Sequence, residues 1–194
     1  MNLKIIVNLW NVLVTALGTS PMVVTEMIDE LKKLGKSIST VITLTTKDDR
    51  VDISYYILAL DFKWSYNDSI KLERIELPFN DIKSQEDHDN FVKIARDVIK
   101  REIEAGNHVI VSVAGGRKTM SVGLYKAGLE AGAKEFYHII AEEIVNPRSD
   151  LISIAGNYDL KAIYEGKVKP PEELKNKIMW ELHRTDLTLH LIKI

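Results

Sequence analysis

Short, wholly apolar runs alternate along this chain with longer stretches in which apolar residues recur every three or four positions. Asn11-Val-Leu-Val-Thr-Ala-Leu17 is the first run, β-branched and without polar alternation, which predicts a strand buried on both faces of a parallel sheet. Gly18-Thr-Ser-Pro21 ends it, and a hydroxyl residue before proline predicts a capped helix start. Met22 to Leu34 has helical spacing and closes at Gly35. Ser39 to Leu44 predicts a second strand, Arg50 to Leu60 a helix, and Lys71 to Leu77 a third strand. Gln85 to Ala105 is a long amphipathic helix ending at Gly106. His108 to Ala114 is a fourth strand, Arg117 to Ala131 a helix stopped by Gly132, and Lys134 to Val145 a fifth strand.

This repeat predicts an α/β fold, a Rossmann-like and mostly parallel sheet with helices on both faces, over residues 1–145. Residues 1–10 form an apolar extension ahead of the first strand. In such sheets ligands bind at the carboxyl ends of the strands, near the point where strand order reverses. Gly18–Pro21 and Gly115–Met120 both follow strands directly, so both should lie on that edge. Residues 146–194 break the pattern and predict a short C-terminal α+β accessory extension. It would comprise a turn at Asn146-Pro147-Arg148, a short strand over Leu151–Ala155, a helix from Pro170-Pro171 to about Met179, and an alternating strand or hairpin within Trp180–Ile194.

A length of 194 residues suits one domain plus a short accessory piece. The absence of cysteine excludes disulfides, Cys-ligated zinc, iron–sulfur clusters and thiol nucleophiles. Twenty-six basic residues against 28 acidic ones argue against binding long nucleic acid, though not against a local cationic pocket for a small anion. The longest apolar run, Leu3 to Leu17, is interrupted by Lys4, Asn8 and Asn11 and lacks a small-residue cleavage pattern. A cytoplasmic protein with no membrane partner is the expectation.

Gly115-Gly-Arg-Lys-Thr-Met120 carries most of the chemical information. Two glycines after a strand allow close backbone approach to a ligand, and a helix starting there directs free N–H groups and positive dipole at the turn. Arg117 and Lys118 add charge, Thr119 and Ser121 hydroxyls. The combination predicts a phosphate site. It is not a Walker A loop, because Arg117 stands where glycine must precede the lysine, and no Gly-x-Gly-x-x-Gly fingerprint occurs. Gly18-Thr-Ser-Pro21 alone reads as a helix cap; on the same edge as Lys118 its hydroxyls become candidates for binding a phosphodiester.

Leu17-Gly-Thr-Ser-Pro-Met-Val-Val-Thr-Glu26, paired with Val113-Ala-Gly-Gly-Arg-Lys-Thr-Met120, resembles the CARF-domain proteins of CRISPR systems. Asp81-Ile82, Glu86-Asp87 and Tyr137-His138-Ile139 extend the likeness from about Asn11 to Val145. Without a large effector domain, the chain is similar to the stand-alone ring nucleases of that superfamily. The resemblance implies a homodimer that binds cyclic tetra-adenylate at its twofold axis. It implies cleavage to linear di-adenylate with a 2′,3′-cyclic phosphate, without metal or cofactor, which switches off type III CRISPR signalling. It carries catalytic roles to Ser20 and Lys118. Gly115, Gly116, Arg117, Thr119 and Met120 match the ligand-binding turn. Gly18, Thr19 and Asp81, with Thr45 and Thr46 at the end of the second strand, are further contact candidates. The alternative is a non-catalytic CARF sensor that signals to a partner protein.

Other residues carry plainer readings. His138 reads as a structural strand histidine. His88 lies among Glu86, Asp87 and Asp89, the acidic first turn of a helix rather than a metal site. Arg184 and His190 match a loose HEPN ribonuclease spacing, rejected because the segment alternates like a strand. Trp64, Tyr66 and Trp180 are adenine-stacking candidates, but packing is the expectation for each.

Overall fold

The computed structural model describes residues 10–142 and 150–194. The residues 1–9 extension, the Asn146-Pro147-Arg148 turn and the boundary at 145 lie outside the described residues. Six strands, β1 (Asn11–Leu17), β2 (Ile38–Thr45), β3 (Lys71–Glu76), β4 (His108–Ser112), β5 (Glu135–Glu142) and β6 (Thr188–Lys193), form one sheet in the order β3-β2-β1-β4-β5-β6. The first five are parallel; β6 runs antiparallel to β5, with Leu191 opposite Ile139. The order reverses between β1 and β4, which fixes the crevice at their carboxyl ends as the place for a ligand.

Alternation along β1 explains the layering. Leu13 and Leu17 face one core with α1 (Met22–Lys33) and α2 (Asp49–Trp64), while Val12, Val14 and Ala16 face a second with α3 (Gln85–Glu104) and α4 (Lys118–Ala131). Helix α2 starts where the Asp48 carboxylate accepts from the Arg50 amide at 2.9 Å, and α3 where the Ser84 hydroxyl accepts from Asp87 at 3.0 Å. Helix α4 sits close on the sheet: a Cβ at Gly128 would lie 2.5 Å from the Phe136 ring, so only glycine permits that approach.

The C-terminal residues add helices α5 (Leu151–Ala155), α6 (Leu160–Tyr164) and α7 (Glu172–Leu182) ahead of β6. The strand expected over Leu151–Ala155 is a helix. Asp150 caps it by accepting from the Ser153 amide at 3.2 Å, and Leu151, Ile152 and Ala155 pack into the α1–α2 core. Ile163, Leu174, Ile178 and Leu182 join that same core. Polar groups pin the end of α7. Thr25 Oγ1 donates to the Leu182 carbonyl at 2.5 Å, and His183 lies between Asp29 (3.2 Å) and Asp61 (3.0 Å). Asp61 is wholly buried; its other oxygen accepts from Ser65 at 2.6 Å. No helix among the described residues is long and apolar enough to cross a membrane.

Candidate functional site

The turns after β1 and β4 meet backbone to backbone. A Cβ on Gly115 would fall 2.0 Å from the Ala16 carbonyl oxygen, and Gly18 lies against the Gly116 backbone. Only glycine at 115 lets the two loops close on each other. Beside them opens a cavity of about 300 Å³. Leu17, Gly18, Thr19, Gly116, Arg117 and Met120 line it together with Thr46 and Asp48 from the loop after β2, Arg50 and Val51 from the start of α2, and Asn80 and Asp81 from the loop after β3. The edge expected from the sequence is therefore the edge that carries the cavity.

The turns differ in detail from their sequence readings. No hydroxyl caps α1: its N-cap is Pro21, and the Ser20 carbonyl takes the first helical amide, from Val23, at 3.3 Å. The backbone thus does the capping expected of a side chain, and the exposed Thr19 and Ser20 side chains are left beside the cavity mouth. Helix α4 likewise begins without a side-chain cap, at Arg117. Lys118 and Thr119, its first residues, are exposed and stand next to the lining rather than in it, as Ser20 does.

Arg117 does not offer the open charge expected of it. Its Nε lies 2.6 Å from one Asp81 oxygen and its Nη2 donates to the other at 2.7 Å, a two-pronged pair across the cavity. The first Asp81 oxygen also accepts from the Ile82 amide at 2.9 Å. Asp81 is thus a lining residue, as expected, but it faces a cation of the protein. Thr46 lines the cavity; Thr45 does not, being fully buried with its hydroxyl accepting from Arg74 Nε at 2.9 Å.

Arg50, Asp48 and Asn80 escaped the sequence reading. Asp48 and Asn80 sit in loops that follow strands and Arg50 in the first turn of the helix that follows β2, and all such segments of a parallel sheet meet on one edge, which was the signal available. Other candidates fall elsewhere. His138 is in β5 opposite Ile192. Trp64 has Lys175 over its ring at 5.9 Å, and Tyr66 packs edge-on against His183 and Phe62. Trp180 is half exposed on α7. Asp87, near His88, accepts from Ser84 and the Lys83 amide, which holds its carboxyl below the usual range. Arg184 is buried and pairs with Asp186 at 2.6 Å, while His190 lies in β6 near Glu142.

Fold and site together define an α/β protein with a polar crevice at the switch point of its sheet. The family model of CRISPR-associated protein NE0113 matches residues 20–168, and the chain belongs to that family. The motif resemblance to CRISPR-associated proteins is thereby upheld. The chain is 31% identical over 137 residues to the CRISPR system ring nuclease SSO2081 of Saccharolobus solfataricus, covering 69% of this chain and 74% of that one. Among solved structures, protein VC1899 from Vibrio cholerae shares the fold at a TM-score of 0.51 and 17% identity, over 72% of this chain; the match spans only 32% of VC1899. Can2 from Sulfobacillus thermosulfidooxidans, solved with cyclic tetra-adenylate, aligns at a TM-score of 0.47 and 12% identity over 66% of this chain and 31% of its own.

Proposed function

We propose that this protein is a ring nuclease that binds cyclic tetra-adenylate and cuts it to linear di-adenylate ending in a 2′,3′-cyclic phosphate, so ending a type III CRISPR signal. The observation that carries the reading is the closure of the Gly18–Pro21 turn on the Gly115–Met120 turn at the sheet's switch point. Ser20 belongs to the first of these turns and Lys118 to the second. The relative at 31% identity, itself named a ring nuclease, supports the same reading.

The chemistry is intramolecular. A ribose 2′-oxygen lies next to its own phosphate, so holding it in line with the leaving 5′-oxygen supplies much of the acceleration. Lys118 stabilises charge developing on the phosphoryl oxygens, aided by the uncapped α4 amides. Ser20 fixes the orientation of the phosphate. The cavity's two carboxylates are both engaged, Asp48 in capping α2 and Asp81 with Arg117, so neither is poised as a general base and turnover is slow. A cavity of about 300 Å³ is at the low end for even a drug-sized ligand. A ring of four nucleotides, with its near-twofold symmetry, fits two such cavities facing across a dimer axis.

The test is chromatography of cyclic tetra-adenylate after incubation with excess protein in EDTA. The ring should disappear as linear di-adenylate appears, and Lys118→Ala should slow this about 100- to 1,000-fold, the effect of losing one donor to a developing oxyanion. Ser20→Ala should also be impaired. An intact ring that nevertheless raises the melting temperature would overturn the enzyme reading in favour of a sensor.

A further inference from the structure

Beyond the turns that carry Ser20 and Lys118, the loop after β2 and the start of α2 contribute two groups to the same cavity that have no side-chain partner among the described residues. Thr46 is 94% buried yet lines the cavity, and its hydroxyl makes no hydrogen bond among the described residues. Its oxygen is not among the atoms sealed from solvent, so the hydroxyl takes its partner, water or ligand, from the cavity side. Arg50, four residues on, lines the cavity from the first turn of α2 and makes no ion pair among the described residues. The neighbouring acids do not hold it: Asp48 takes the Arg50 backbone amide, and Asp150 is bound by Ser153, feeling Arg50 only as a more distant charge. Arg117, the other guanidinium in the lining, is gripped by Asp81. Asp48 and Asp81 balance Arg50 and Arg117 in number, and Arg50, which has no ion pair to give up among the described residues, is the guanidinium a polyanion meets at the lower cost.

We propose that Thr46 and Arg50 form a second phosphate-binding arm, which holds one phosphodiester of the ring while the opposite turns act on another. The proposal rests on the ring-nuclease reading above. Arg50 would present its planar fork to two non-bridging oxygens, and Thr46 would donate its hydroxyl to the same group. Such an arm orients the ring rather than touching the scissile bond, so these are binding residues and not catalytic ones.

The experiment is direct binding and single-turnover cleavage of cyclic tetra-adenylate by the full chain, with Arg50→Ala, Arg50→Lys and Thr46→Val variants, at several salt concentrations. Arg50→Ala should weaken binding about 10- to 100-fold, as expected for a charge-assisted hydrogen bond. The loss should fall on the half-saturating concentration more than on the maximum rate. The slope of log affinity against log salt should shrink by about 0.7, one phosphate contact on a single strand. Arg50→Lys should restore the slope but only part of the affinity; Thr46→Val should weaken binding by a smaller factor. Arg50 is exposed, so its variants should melt with the native chain. If the native chain binds and Arg50→Ala binds equally with an unchanged salt slope, this inference falls alone. If the native chain neither binds nor cuts the ring, the functional reading falls and takes the arm with it.

Discussion

Two charge clusters show how differently one chain uses the same kind of pair. At the cavity, Arg117 grips Asp81 with its side chain 65% exposed. Under α7, His183 bridges Asp29 and Asp61, the latter shut off from solvent and the histidine three-quarters buried. The rim pair sits in high dielectric, where an ion pair contributes at most about 1 kcal/mol, so a phosphate can compete for the guanidinium. The inner cluster cannot be opened without stranding a buried carboxylate. The pair that is cheap to open lies at the mouth; the cluster that is costly to open joins α1, α2 and the C-terminal residues.

Breaking the inner cluster gives the larger effect. His183→Ala leaves Asp61 without a cation partner among the described residues and should cost about 3 kcal/mol of unfolding free energy, the low end for a buried pair because the histidine is partly exposed. Chemical denaturation measures it, and a loss below about 1 kcal/mol would erase the contrast.

Titration loosens the same cluster more gently. Burial pulls the His183 pKa down, but the hydrogen bonds and charges of Asp29 and Asp61 outweigh it and raise it from 6.5 to about 9. The charged histidine is therefore favoured by folding. Its contribution is whole below pH 6.5 and is lost as pH rises through about 9. The melting temperature should fall across that window, and the fall should flatten in the His183→Ala variant.

The smallest effect belongs to the rim. Asp81→Asn should change stability by less than about 1 kcal/mol. Freed from its partner, Arg117 should bind cyclic tetra-adenylate a few-fold more tightly in a direct titration. Weaker binding instead would make Asp81 a group that aims Arg117 rather than one that competes for it.

The five parallel strands and their helices were legible because each is long enough for its periodicity to speak. The edge that carries the cavity followed from topology rules applied to two glycine-containing turns. Two kinds of feature were not legible. Leu151-Ile-Ser-Ile-Ala155 is too short for periodicity to separate strand from buried helix, and the β-branched residues tipped it the wrong way; the Asp150 cap and the α2 surface decide it. Pairings across the fold were also hidden. Nothing local links Asp81 to Arg117, 36 residues on, or His183 to Asp61, 122 residues back. Arg50 entered the sequence reading only as the first residue of a helix, and its place in the lining depends on the strand order that brings the start of α2 to the β1–β4 crevice.

The close seat of α4 on β5 has a mechanical consequence. With no side chain at Gly128 to act as a spacer, the helix backbone rests almost directly on Phe136. A helix bedded that tightly has little slack along or across the sheet, because any slide drives main chain into an aromatic ring. Lys118 and Thr119 ride on its leading turn. Under the proposed function, their backbone is thus positioned before the ring arrives, and the orienting entropy is settled when the chain folds rather than at each encounter.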